Sequence, residues 1–366
     1  MHVYDIVITH RGLDRDITVG ADAATRRHLG LPTDRPVIAA GHQPGLQHGG
    51  ILAKDMAVAA LAHRAGGVGV HLLLDTVDGL PATVDVPVHS EGRWAVEHRS
   101  RLDDKNDADC MQHQFDALGI APTVIRSSSL LGTPGAVSLL DRMRADAAAC
   151  TAALQHAVDA VPGSGVRRPA DGELPMWVHA DGGRRIATAD DLHTPQALSP
   201  RAVLTTAIMR LFVCDLFVHG TGGSHYDKVT DLWLTTWRGQ TPPPRAMVTA
   251  DVYPDAAARS AAMTTLAEVH ARHRAATHAT TDPAAKQALL DRIDAAPRGS
   301  AERRDAFAAL TALRQQRAPV DIDAQIEDIQ QQLAVLDRRD YPLLALPESA
   351  RRAFISACIE AFGPVT

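Results

Sequence analysis

The spacing of apolar positions divides the chain in two: apolar runs alternate with amphipathic stretches up to residue 254, and only helical periodicity remains beyond it. The run 36–40, closed by Gly41, reads as a buried parallel strand because it is apolar on both faces. A helix follows over 49–64, with Ile51, Leu52, Met56, Ala60 and Leu61 on one side, and a second apolar run over 68–74 ends at Asp75. Such a β-α-β unit is normally right-handed and parallel, which puts the loops after both strands at one edge of the sheet.

Residues 81–130 read as loops around short strands such as 94–98. A long alanine-rich helix is predicted over 134–160, with Thr133 as cap and Pro134 at its first position. A strand over 176–179 is followed by a helix that Ser199 caps and Pro200 opens, carrying Val203, Leu204, Ile208, Leu211 and Phe212. A short strand at 216–218 runs into a glycine-rich turn and a helix over 224–237, and 246–252 reads as the last strand. Ile322, Ile326, Ile329, Leu333 and Leu336 then form an a/d seam over little more than two heptads, and Phe307, Leu310 and Leu313 a similar stripe. Such a seam closes a helical hairpin or joins two chains in a homodimer. The expectation is an α/β protein: a parallel-sheet core over 1–254 with an inserted segment around 81–195, and a helical, short coiled-coil-like part over 255–366.

Composition narrows the function. A net charge of −6 gives no basic face of the kind nucleic acid or an anionic membrane calls for. Residues 1–5 lack a basic segment leading into an apolar one, and no window reaches the apolar length of a membrane span, so a cytoplasmic protein is expected. Cys110, Cys150, Cys214 and Cys358 are scattered, without the paired spacing of a zinc or redox motif.

Two turns carry candidate chemistry. The first contains Gly41, His42, Gln43, Gly45, His48 and Gly49. A glycine-containing turn opening a helix offers free N–H groups and the positive end of the helix dipole to a phosphate or carboxylate. His42 and His48 could donate to that anion. The second turn contains His219, Gly220, Gly222, Gly223, Ser224, His225, Tyr226, Asp227 and Lys228. Its glycines raise the entropy cost of ordering, and they let a backbone approach a ligand. Asp75 and Asp78 close the second strand, at the edge where open α/β sheets bind ligands. His270, His273 and His278 read as a solvated helical face.

The spacing of the first turn resembles the nucleotide-binding turn of class I synthetase and nucleotidyltransferase folds. Gly41-His42-Gln43-Pro44-Gly45, Leu198-Ser199-Pro200-Arg201 and the segment from His219 to Tyr226 together resemble the landmark segments of the bacillithiol-pathway cysteine-adding enzymes, the BshC-like proteins. The resemblance covers residues 36–80 and 196–237. It departs from the family at His42, where glutamine is usual, at His225 and Asp227, which replace proline and glutamate, and in a reduced acidic segment. It implies a Rossmann-like core, a coiled-coil appendage and a nucleotide-type pocket for ATP or ADP.

Three functions follow. One is a ligase or group-transfer enzyme that forms an amide between an amino acid, such as cysteine, and a small amine. His42, His48 and His219 would then stabilise charge, and Asp75, Asp78 or Asp227 would take the proton from the amine. A second is a metal-dependent hydrolase with His42, His48, Asp75, His219, His225 and Asp227 as ligands, although no compact ligand motif is present. The third is a non-catalytic module that binds a nucleotide-like ligand and pairs through its C-terminal helices.

Overall fold

The computed structural model describes residues 6–76, 83–100, 107–180, 183–193, 197–278, 282–315 and 322–365. Along the chain these form β1 (Val7–Arg11), α1 (Ala23–His28), β2 (Val37–His42), α2 (Gly49–Arg64), β3 (Val68–Leu73), the paired strands β4 (Thr83–Ser90) and β5 (Arg93–Ser100), α3 (Asp107–Leu118) and β6 (Thr123–Arg126). Helices α4 (Pro134–Ala145) and α5 (Ala147–Ala160) lead to a small antiparallel sheet of β7 (Met176–Ala180), β8 (Gly183–Ile186) and β9 (Leu198–Pro200). Next come α6 (Ala202–Ile208), which runs on through a π-helical turn at Met209–Val213, then β10 (Leu216–His219), α7 (Thr221–Arg238) and β11 (Arg245–Asp251). The last elements are α8 (Ala256–His278), α9 (Pro283–Ala295), α10 (Ala301–Gln315), α11 (Ile322–Leu336) and α12 (Glu348–Phe362).

The main sheet has the order β1-β11-β10-β2-β3-β6, parallel throughout except for β1, which runs antiparallel to β11 at the edge. From the central pair the chain moves outward in opposite directions: β2 through α2 to β3 on one side, β10 through α7 to β11 on the other. The strand order therefore reverses between β2 and β10, and the crevice at their carboxyl ends is where open α/β sheets bind ligands.

Helices cover both faces. Val37, Ala39, Val70, Leu72 and Phe217 share one core with the apolar sides of α4 to α7, including Trp233 and Leu234. The alternate positions Ile38 and Ala40 are equally buried and point the other way, as a period of two requires. Gly69, paired with Ile38, shows what lies there: a Cβ on it would sit 3.2 Å from the Val58 side chain of α2. Helix α12 packs on α2 and β1.

The chain divides into two compact units. Among the described residues, one holds those within 6–86, 97–254 and 339–365, and the other those within 87–96 and 255–338. Within the second, α11 packs on α8 and α9 on α10, with Ile293, Ala306 and Leu310 forming a small core, and the Trp94 N–H donates to Gln332 Oε1 at 2.6 Å. The a/d seam of α11 is thus applied to a helix of the same chain.

Several boundaries differ from the expected ones. The helical part does not run to 366, because Phe354, Cys358 and Phe362 give α12 an apolar stripe that it buries in the sheet unit. The helix over 134–160 is broken at Asp146, whose φ of −124° and ψ of 28° leave the helical region. Thr133 does not cap α4 with its side chain; its hydroxyl donates backwards to the Leu130 carbonyl at 2.7 Å. Leu198-Ser199-Pro200 is a strand rather than a helix start: Ser199 Oγ bonds His179 Nε2 at 2.7 Å, and α6 begins after Arg201. Among the described residues no helix is long and apolar enough to cross a membrane, and the four cysteines are buried and form no disulfide.

One buried carboxylate aligns the amino ends of the central strands. Asp215, just before β10, accepts from the Val37 amide at 2.9 Å and from Arg26 Nη2 at 2.5 Å, and it also accepts from the Gly20 amide at 2.8 Å. Arg26 is wholly buried on α1, and removing one partner of such a pair leaves an uncompensated charge. Asp215→Ala is therefore expected to cost about 3–5 kcal/mol of unfolding free energy, read from urea denaturation; a loss below about 1 kcal/mol would show that this clamp is not what aligns the pair.

Candidate active site

The site is built on the carboxyl ends of β2 and β10. Leu216, Phe217 and Val218 pair with Ile38, Ala39 and Ala40, which brings His219 alongside Gly41 and sets the two glycine-containing turns next to each other on one edge. Helix α7 starts at Thr221, earlier than its glycines suggest, so Gly222 and Gly223 form its first turn. Its N-cap is Gly220, which has no side chain to satisfy the free N–H groups at the start of this 18-residue helix, and those groups carry the positive end of its dipole.

The three glycines here have different reasons. A Cβ on Gly223 would lie 2.6 Å from His219 Nδ1, so that position must be bare for the histidine to lie beneath the helix start. A Cβ on Gly222 would meet nothing within 4 Å, and one on Gly220 would meet only the Lys54 side chain, at 4.0 Å. The helix start is open at Gly222 and closed at Gly223.

Lys54, on α2, supplies the cation of this edge. It is 5% exposed, and its Nζ donates to the Gly41 carbonyl at 2.9 Å. Burial pulls the amine below the ordinary lysine range, opposed by the neighbouring Asp55 carboxylate. An ammonium group has three donors, and this one spends one of them on Gly41. The next residue, Asp55, turns beneath the helix to bond His71 Nδ1 at 2.7 Å, and both side chains are buried.

His42 ends β2 at the same edge. Burial, reinforced by the positive charge of Lys54, lowers its pKa to about 4, so the ring is neutral at physiological pH. Its Nδ1 lies 3.3 Å from the Gln43 carbonyl. In the neutral ring that contact places the hydrogen on Nδ1 and leaves Nε2 as the acceptor.

On the opposite face His219 is 4% exposed, and its Nε2 lies 2.9 Å from Asp227 Oδ2. Burial lowers the histidine's pKa against the pull of Asp227. Burial alone would raise Asp227, but the His219 hydrogen bond and the adjacent Arg210 charge hold it below the usual carboxylate range. The carboxylate is therefore ionised and the imidazole neutral, with Nε2–H donating. Arg210 Nη1 bonds Asp227 at 2.8 Å and Asp231 at 2.7 Å, and Arg245 pairs with Asp231. Tyr226 meets the His219 ring edge-on at 5.6 Å, and burial pushes its hydroxyl up to about 12.

Other expected site residues stand apart from this cluster. His48 caps α2: its Nδ1 accepts from the Gly50 amide at 3.1 Å, and burial lowers its pKa. A Cβ on Gly49 would lie 2.5 Å from Val252, so this glycine serves close packing against the chain after β11. Gly45 has a φ of +116°, which favours glycine. Its carbonyl accepts from Gln114 Nε2 at 2.9 Å, while Gln114 Oε1 takes the Gln47 amide at 2.7 Å. The first turn is thus pinned by α3, and two of its N–H groups, those of Gln47 and Gly50, are already used. Gln43 is exposed, with its carbonyl bonded by Gln47 Nε2.

Asp75 is held by the hydroxyls of Ser127 and Ser128 at 2.8 and 2.6 Å and by the Ser128 amide at 2.9 Å. Burial would raise its pKa, but these donors outweigh it and keep the carboxylate ionised. It ties the end of β3 to the segment after β6. Asp78 lies outside the described residues. His225 is half-buried beside Gly163, whose Cβ would lie 3.9 Å from its Nε2, and Lys228 is exposed. The six proposed metal ligands do not converge, and among the described residues no three histidine, cysteine or acidic side chains form a metal-holding group.

Two hollows border the first turns of α7. One, of about 140 Å³, is lined by Tyr226 together with Arg167, Arg201 and the apolar side chains of Leu154, Val166 and Val203. Arg201 stacks over Trp177 at 4.7 Å. The other, of about 770 Å³, lies along α7 and reaches Ser224, Arg210 and Arg245.

No family model and no curated protein matches the chain. Among solved structures it is similar to the tyrosyl-tRNA synthetase of Archaeoglobus fulgidus complexed with L-tyrosine, with 12% sequence identity over 96% of this chain and 95% of that one, at a TM-score of 0.34. A likeness of that degree assigns neither substrate nor reaction to this chain.

The contrast between Gly222 and Gly223 is open to test. Gly223→Ala is expected to destabilise the fold by about 1–3 kcal/mol through overpacking against His219, whereas Gly222→Ala should change stability by less than about 1 kcal/mol. Thermal unfolding of the two variants checks this, and equal effects would remove the steric reading.

Proposed function

We propose that this chain is a carbon–nitrogen bond-forming enzyme, a divergent relative of the BshC-like proteins, which joins the activated carboxyl group of an amino acid to a small amine at the β2/β10 edge. The observation that carries the reading is the buried Lys54 ammonium beside the uncapped start of α7. A buried cation with unspent donors next to free helix amides calls for an anion, and an acyl phosphate or adenylate offers one. Placement of the resemblance segments supports it as well. The turn at Gly41 abuts His219, while Arg201 and Tyr226 line one small cavity.

The chemistry divides among groups already in place. Lys54 and the amides of the α7 start hold the activated carboxyl group and the charge that grows on its oxygen as the amine adds. The attacking nitrogen forms the new C–N bond, the phosphate or nucleotide leaves with the electrons of the broken C–O bond, and the nitrogen's surplus proton must be taken up. Asp75 and Asp227 are ionised and committed to other donors, which leaves Nε2 of His42 as the neutral, partly exposed acceptor on this edge; with a pKa of about 4 it relays the proton to water rather than retaining it. His219, fixed by Asp227, is a positioning residue that fills the space under Gly223.

Trapping with hydroxylamine tests this whatever the natural amine is. Each of the common amino acids is incubated with the full chain, ATP and hydroxylamine, and hydroxamate is read by mass spectrometry. Hydroxamate is expected from cysteine or another small amino acid, reduced roughly 100-fold or more by Lys54→Met and by His42→Ala. ATP and amino-acid binding without hydroxamate would favour a non-catalytic module, and full activity in Lys54→Met would overturn the assignment of the site.

A further inference from the structure

The larger hollow is a cleft of about 770 Å³ whose polar wall is dominated by arginine. Arg11 ends β1, Arg15 lies in the loop after it, Arg210 comes from the π-helical turn after α6, and Arg245 opens β11. Four guanidinium groups drawn from four places in the sequence meet here in a chain whose net charge is −6. The carboxylates among them are accounted for. Asp231 bonds Arg210 and Arg245, and Asp227, behind the wall, bonds Arg210 and His219. Arg11 and Arg15 are exposed and have no carboxylate within ion-pair distance among the described residues. Four positive charges against two negative ones leave the cleft with an excess of two.

Gathering like charges is unfavourable unless something of opposite sign is held between them. A volume of this size suits a small molecule, since ligand sites usually span a few hundred to about 1,000 Å³. Guanidinium forks match phosphate oxygens in pairs, and Ser224 adds a hydroxyl on the same wall.

We infer that this cleft holds the diphosphate portion of a small phosphorylated ligand, with Arg11 and Arg15 closing on it from the outer side and Arg245 from the inner, where Arg210 backs the wall with its donors engaged by Asp227, Asp231 and the Pro243 carbonyl. The inference deepens the proposed amide-forming function and rests on it for the nucleotide as the source of that diphosphate; the charge and volume of the cleft stand without it. Arg210 touches the same Asp227 oxygen that fixes His219, so the inner wall of the cleft is tied to the strand edge through that carboxylate.

Calorimetric titration of the full chain with inorganic pyrophosphate and with ADP tests this, alongside the double variant Arg11→Ala/Arg15→Ala. Both residues are exposed, so the variant should unfold at the wild-type temperature. Wild type is expected to bind both ligands with an affinity that falls as salt is raised, and the double variant to bind each roughly 100-fold more weakly. Absence of pyrophosphate binding at millimolar concentration, or equal binding by variant and wild type, overturns the inference. Pyrophosphate binding without hydroxamate formation keeps the cleft and removes the amide-forming reading; hydroxamate formation without pyrophosphate binding does the reverse.

Discussion

The pairing of β2 with β10 is the constraint on which everything else depends. These strands are adjacent in space although far apart in sequence, and they run parallel, so the turns that leave them must emerge on the same edge. Asp215 aligns them at one end by taking the Val37 amide and the Arg26 guanidinium. At the other end Lys54 reaches from α2 to the Gly41 carbonyl and lies against Gly220. A buried carboxylate and a buried ammonium thus mark the two ends of one strand pair.

That asymmetry separates structural polar groups from chemical ones. Asp215, Asp75 and Gln114 are buried or partly buried and fully engaged; each ties loops together and has little capacity left for a guest. Lys54 and the α7 start have donors to spare, and His42 has an acceptor. Unspent capacity at the reversal of strand order, rather than a count of histidines, is what marks the site.

The β-α-β unit was legible from pattern alone. An apolar run closed by glycine and followed by an alanine-rich stretch of helical length has few other solutions, and α2 spans the residues its periodicity predicts. The edge strand β1 was hidden by its exposed, mixed sequence, and β9 by a Ser-Pro pair that also suits a helix start. Two neighbouring glycines hid the first turn of α7, because their presence inside a helix makes sense only once the His219 ring is seen beneath Gly223. The turns themselves were recognisable as candidate chemistry. Their strongest cation was not: Lys54 sits in an alanine-rich helix where a lone lysine reads as solvated, and its burial follows from strand order. Arg210 and the Asp55–His71 pair were missed for the same reason, since their partners lie 16 or more residues away. A charged residue on a predicted helix otherwise made of apolar and alanine positions, one turn after its opening glycines, was the signal available.

The proposed site stands or falls on the state of one amine. The chain has four lysines, so the Lys54 ammonium can be followed by nitrogen NMR of Nζ-labelled protein and assigned with Lys54→Met. A pH titration, alone and with acetyl phosphate as the simplest acyl phosphate, measures it directly. The predicted midpoint lies below the ordinary lysine value of about 10.4 in the free chain and rises when the anion is bound. A midpoint at the ordinary value that acetyl phosphate does not move would contradict the assignment of Lys54 as the anion-holding cation.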